Sequence, residues 1–278
     1  MLSYGRVERL IAALQDDRSE VPLDVAALEL ARVEFPQLDP KASLIRLDNL
    51  AAEIQSQLTT NASGLDFISA TNQLLFEILD FRGDEQNYYD PRNSCLNSVL
   101  TRRLGIPITL SVLYIEIARR LSRPVYGVGL PGHFIVAYED RNSRYWIDPF
   151  HGGRILSFAD CCALAKETAG VNLQTNPAVL APVNKRQILV RMLSNLKAIY
   201  LRGGAFDKAR QVLDLLILAM PDYAEEYLHR GLIHLRQFNH QAAKVDLETY
   251  LRLEPNAPER ERVQKQLTFI KRWNAGLN

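Results

Sequence analysis

A chain of 278 residues, 47% apolar and 23% charged, has the composition of a globular protein with room for one large or two ordinary domains. Its formal net charge of +1 and the lack of basic runs interleaved with aromatics give no footprint for nucleic acid, and no run of about eighteen apolar residues offers a membrane span. Three cysteines, Cys95, Cys161 and Cys162, an odd number without metal-ligand spacing, fit a reducing cytoplasm, as does an N-terminus with early charges and no apolar signal core.

Apolar residues recur every three or four positions over residues 6–14, 21–33, 42–58 and 65–80, with breaks at Asp16-Asp17, Phe35-Pro36, Asp39-Pro40 and residues 61–64. Four amphipathic helices are expected there, forming an N-terminal region (1–80) that covers the core and carries no reactive cluster. The next stretch, 88–153, organises the chain. Asp90 to Ser94 supply a turn and N-caps for a helix bearing Leu96, Val99 and Leu100, which Gly105 is expected to end. Pro107 suits the first turn of a second helix over 107–121. That helix is apolar around nearly its whole circumference, which places it inside a core.

Residues 125–130, 133–138 and 144–148 are short, apolar and rich in strand formers, and the turn-forming cluster 139–143 joins the last two as a hairpin. Pairing symmetric about residues 140 and 141 sets His133 opposite Asp148. A helix is expected over 158–166. Residues 170–184, with Pro177 and Pro182, read as the domain boundary.

Beyond it, sliding the chain by about 34 residues superposes Ala209 on Ala243, Leu213 on Leu247 and Pro221 on Pro255. This resembles the tetratricopeptide repeat: two copies, 188–221 and 222–255, then a capping helix over 257–273. Lys197 stands where the second copy has the small Gly231. So short an array buries its apolar faces poorly alone, and this module (185–278) is expected to dock on the first domain.

Cys95, His133 and Asp148 form the sharpest catalytic candidate: a thiol near a helix start, a base, and a carboxylate to orient the base. The competing reading of Cys95 is a buried small apolar residue, and the adjacent Cys161 and Cys162 read that way too. Glu116, Tyr88 and Tyr89 read as structural, the tyrosines as core aromatics; read instead as a binding platform, the two tyrosines join His133, Asp148 and His151 as binding candidates. His151 adds a second imidazole, but without a tight ligand pattern no metal and no cofactor is predicted.

The segments FRGDEQNYYDPRNSCLNSVLTRRLGIPITLSVLYIEIARRL, VYGVGLPGHFIVAY and IDPFHGGRIL resemble the bacterial SirB-type proteins, in which a transglutaminase-like domain is joined to tetratricopeptide repeats. LARVEFPQLDP and LIRLDNLA extend the likeness over most of the chain. The resemblance implies an α+β fold: a papain-like transglutaminase-type core (81–180) of helices and antiparallel sheet, followed by an all-α module.

It also implies that a catalytic cysteine follows a Gly at the start of the helix leading into the His strand. Gly105-Ile106-Pro107 occupies that place, so Pro107 stands where the thiol belongs, while His133 and Asp148 match the other two members and Cys95 lies one helix too early. Thr109 and Ser111 are the neighbouring hydroxyls. The function expected is that of a cytoplasmic, non-catalytic interaction or regulatory protein whose groove near His133 and whose repeat module recognise a protein or peptide partner. The alternative is a cysteine-dependent amide hydrolase or acyltransferase using Cys95, His133 and Asp148.

Overall fold

Helix α6 (Pro107–Arg120) is the element around which the first unit is built, and every residue from Pro107 to Ala118 except Ile115 is buried. In the computed structural model, residues 7–141, 143–173 and 180–276 are described. Arg6, Asn142 and Pro177, which fall within the expected first helix, hairpin turn and boundary, lie outside them. The chain divides into two compact units, residues 2–195 and residues 196–278. Among the described residues no helix is long and apolar enough to cross a membrane.

The N-terminal region holds α1 (Glu8–Gln15), α2 (Leu23–Leu30), α3 (Lys41–Gln57) and α4 (Gly64–Asn72). Helix α2 is not amphipathic: all eight residues are buried, including Asp24 and Glu29. Its two carboxylates are accommodated because each has partners, Glu29 accepting from the Leu10 amide at the start of α1 (2.9 Å) and Asp24 from Arg119 and Arg120 of α6. Helix α4 does not run to residue 80 as a single α-helix. After Asn72 it widens into a π-turn over Gln73–Ile78, and Asn72 at the junction donates to the Gly153 carbonyl (2.7 Å).

Asp90 caps a short 3₁₀ turn, Pro91–Ser94, which leads into α5 (Leu96–Arg102). Contrary to the expectation from Gly105, α5 ends one turn earlier, with Arg103 in the left-handed region (φ 61°). Gly105 instead belongs to β2 (Leu104–Gly105), which pairs in parallel with β1 (Arg82–Gly83). The start of α6 is tied down by Thr109: its hydroxyl accepts from the Ile106 amide (3.1 Å) and donates to the Asn93 carbonyl (2.6 Å). Pro107 at the first helical position costs nothing, since its missing N–H is one that the helix leaves unpaired.

Around α6 lies an antiparallel five-stranded sheet in the order β6-β5-β4-β3-β7: β3 (Val125–Val128), β4 (Ile135–Glu139), β5 (Arg144–Asp148), β6 (Arg154–Leu156) and β7 (Pro182–Val183). The hairpin exists, but its register is offset by two residues from symmetry about 140 and 141. Val136 faces Ile147 and Tyr138 faces Tyr145. A two-residue offset preserves the face on which each side chain lies, because strand side chains alternate with period two. His133 therefore lies before β4 and meets Asp148 diagonally. Beneath the sheet, α7 (Phe158–Ala169) buries Cys161 and Ala165 among Val128, Leu130, Ile135 and Leu156.

Helix α8 (Lys185–Arg202) crosses into the second unit, which continues with α9 (Phe206–Ala219), α10 (Ala224–Arg236), α11 (His240–Leu253) and α12 (Arg260–Gly276). Ala209 and Ala243, the small residues of the repeat, are fully buried. A Cβ on Gly231 would lie 3.0 Å from Leu247 Cδ2, which explains the small residue at the α10–α11 contact. At the equivalent position of the first copy, Lys197 is accommodated by pairing with buried Glu226 at 2.8 and 2.9 Å.

Candidate functional site

The site is assembled from the two ends of the β4–β5 hairpin. Gly132 turns the chain with a left-handed φ of 70°, and the Arg191 guanidinium donates to the carbonyls of Leu130 (2.9 Å) and His133 (2.6 Å), fixing the backbone that presents His133. At the other end, Asp148 caps the 3₁₀ turn Pro149–His151, its Oδ1 accepting from the Phe150 amide at 3.0 Å. That cap orients the carboxylate. His133 Nε2 then lies 3.0 Å from both Asp148 oxygens, and His151 Nδ1 lies 2.7 Å from Oδ2.

An ionised carboxylate only accepts, so both rings donate to Asp148. Burial pushes the Asp148 carboxyl up, but the hydrogen bonds and positive charge offered by His133 and His151 outweigh it and hold the group below the usual carboxylate range. The bond to Asp148 raises His151 above the ordinary imidazole value. Asp148 and His133 are buried, whereas His151 is 45% exposed at its side chain.

Phe150 stands edge-on to His133 (ring centres 5.8 Å apart) and to Tyr88 (6.3 Å), and Tyr88 in turn meets Tyr89 at 5.4 Å. Of the candidates from the sequence, His133, Asp148 and His151 come together and Tyr88 borders them through Phe150. Tyr89 is exposed at the edge of this aromatic group. A cavity of about 450 Å³ opens beside them, lined by Asp84, Glu85, Asn87, Phe150 and His151 among others.

Cys95 has a different setting. It is the N-cap of α5, fully buried, with its thiol donating to the Pro91 carbonyl at 3.4 Å. Thr109 is committed to the backbone at the start of α6, and the buried Ser111 hydroxyl donates to the Phe134 carbonyl at 3.4 Å.

Sequence reasoning missed Asn93. It is fully buried, donating to Asp84 Oδ2 (3.0 Å) and the Asn87 carbonyl (2.9 Å) and accepting from Arg102 (2.9 Å) and, at its own carbonyl, from Thr109. The signal available was the run Asp90 to Ser94, which marks a turn but does not reveal that one of its amides turns inward.

Gly153 closes the loop behind Asp148, with its N–H donating to the Asp148 carbonyl at 2.9 Å. Its φ is 74°, and a Cβ there would fall 2.3 Å from Asn72 Oδ1. Gly153→Ala is therefore expected to destabilise the first unit by about 2 kcal/mol, from backbone strain plus overpacking. Gly152→Ala, with φ 69° but open space around it, should cost only about 1 kcal/mol. Thermal unfolding of the two variants side by side checks both, and equal effects would refute the role given to Asn72.

A buried His–Asp pair on an antiparallel hairpin beside a central helix, followed by helical repeats, defines a transglutaminase-like domain with a tetratricopeptide module. The transglutaminase-like superfamily profile matches residues 41–194, and a tetratricopeptide repeat profile matches residues 196–268.

The chain is 35% identical over 272 residues to a UPF0162 protein of Xylella fastidiosa (strain Temecula1), covering 95% of this chain and 97% of the relative. A UPF0162 protein of Vibrio cholerae is 28% identical over 256 residues, covering 92% and 94%. Human F-box only protein 21 is 31% identical over 198 residues, 65% of this chain but 29% of that protein. The chain belongs to the UPF0162 family of the transglutaminase-like superfamily.

Proposed function

We propose that this SirB-type chain is a cytoplasmic, non-catalytic interaction protein that holds a peptide segment of a partner. The observation that carries the reading is an aromatic groove between α10, α11 and α12. Phe238 is 80% exposed and held at φ 58°, a conformation that costs a bulky residue energy and persists where the fold enforces it. Phe269 and Trp273 stand beside it, half-exposed, around the His240 ring, which lies 5.3 Å from Trp273 and 6.0 Å from Phe269.

The groove has a volume of about 370 Å³, and His240 Nδ1 and Gln266 Oε1 at its wall are buried without hydrogen-bond partners among the described residues. An apolar anchor with an adjacent backbone amide satisfies both needs. Arg262, Lys265 and Arg272 are exposed on α12 toward the groove side, Lys265 pairing with Glu261, so flanking acidic residues complement the groove.

The non-catalytic half of the reading rests on Pro107 at the expected nucleophile position and on the burial of Cys95. The test is affinity capture with the full chain against the Phe238→Ser/Trp273→Ser variant. Loss of a stoichiometric partner by at least tenfold is expected, and undiminished recovery would remove the groove's role.

The thiol-hydrolase alternative needs a reachable Cys95 thiolate. In a Cys162→Ser background, iodoacetamide at mildly acidic pH is expected to label Cys95 about a hundredfold more slowly than the urea-unfolded chain, because labelling waits on opening of the fold. Rapid labelling of the native protein would favour the hydrolase.

A further inference from the structure

We infer that His133, Asp148 and His151 form a binding site for a divalent first-row metal ion, with coordination positions left open toward the neighbouring cavity. His133 Nε2, His151 Nδ1 and a carboxylate oxygen of Asp148 all lie within 4.8 Å of one another. Two imidazoles and a carboxylate are a donor set that suits zinc and its neighbours.

The two rings are neighbours, stacked with centres 5.5 Å apart and planes 20° from parallel, so the half-exposed His151 ring has to turn for both nitrogens to point at one ion. To share one tetrahedral ion, the carboxylate-to-nitrogen separations of 2.7 and 3.0 Å open to roughly 3.3 Å and the two ring nitrogens, within 4.8 Å of one another, settle at the same spacing.

His133 Nε2 is equidistant from both Asp148 oxygens, a three-centre hydrogen bond that a bound ion would replace. On metal binding, each imidazole turns a lone pair inward, by tautomer change or proton release.

The surrounding shell holds the donors in place. The Phe150 amide fixes Asp148 through Oδ1, and Arg191 fixes the His133 carbonyl. Of the three ligands His151 lines the cavity of about 450 Å³, so water or a substrate oxygen would reach the ion from that side. This inference does not rest on the interaction role proposed above, which concerns the other unit.

The experiment is calorimetric titration of the EDTA-stripped full chain with zinc sulfate, alongside His151→Ala, Asp148→Asn and a Cys161→Ser/Cys162→Ser control. One equivalent is expected to bind saturably, at least tenfold more weakly in His151→Ala and Asp148→Asn and unchanged in the cysteine control. His151 is half-exposed, so its variant should fold, and circular dichroism checks this. X-ray absorption of the zinc-loaded protein should show nitrogen and oxygen neighbours at about 2.0 to 2.2 Å. No saturable equivalent, unaltered affinity in His151→Ala, or sulfur in the zinc shell would each overturn the assignment.

Discussion

Arg120→Met is expected to destabilise the unit formed by residues 2–195 by about 3 to 5 kcal/mol. The Arg120 guanidinium is the hub between α2, α3 and α6: it donates to Asp24 Oδ2 (2.6 Å), to Glu116 Oε2 (3.0 Å) and to Asp48 Oδ1 (2.7 Å). Asp24 and Glu116 are each 1% exposed. Removing their shared cation leaves two buried carboxylates facing each other with only Arg119 to compensate, at 2.8 Å from Glu116 and 3.3 Å from Asp24. The loss is that of an uncompensated buried charge, not of a surface pair.

Urea unfolding followed by Trp146 fluorescence, in a Trp273→Phe background, measures it. Adding Asp24→Asn and Glu116→Gln should recover much of the loss, since no buried charge then remains unpaired. A loss below about 1 kcal/mol would show that the cluster is screened like a surface network.

Glu116 should also give this unit a pH dependence opposite to that of most carboxylates. Its burial and the nearby Asp24 charge push its carboxyl up to about 7, against the opposing pull of Arg119. Below pH 4.5 the residue is protonated in both folded and unfolded chains and costs nothing. Between 4.5 and 7 the unfolded chain gives up the proton while the folded one keeps it, so stability falls as pH rises. Above 7 both states are ionised and the full penalty, about 3 kcal/mol, persists.

Glu116→Gln carries no such titration, so the stability difference between variant and wild type should shift in the variant's favour by about that amount from pH 4.5 to 8. A difference that stays flat across this range would mean Glu116 is ionised throughout, its charge fully met by Arg119 and Arg120.

How far the sequence reaches is clearest at the hairpin. Alternation and turn residues place the strands at 133–138 and 144–148, and β5 spans Arg144–Asp148 as expected. The two-residue offset in pairing is beyond local signals, since an even shift leaves each side chain on its own face and hydrophobic alternation does not choose between the two registers. His133 still meets Asp148 because an even offset leaves facing unchanged.

His151 shows the complementary gap. Nothing in its spacing marks it as a partner of His133, and only the 3₁₀ turn capped by Asp148 brings it there. Glu116 reads as a lone charge on an apolar helix until Asp24, Arg119 and Arg120 are seen around it. The reading of α4 fails for a related reason: periodicity does not distinguish an α-helix from one that widens into a π-turn to deliver Asn72 to Gly153.

By itself the sequence determined the all-apolar helix that must be central, the hairpin strands and the duplicated helix pairs, because each is written in local periodicity or in direct repetition. The tertiary structure alone decided that Cys95 is sealed against the Pro91 carbonyl, that two histidines converge on one carboxylate, and that α2 and α6 share a buried charge cluster. Those outcomes depend on groups far apart in the chain, whose partners are chosen by the cost of leaving a buried polar atom unmatched.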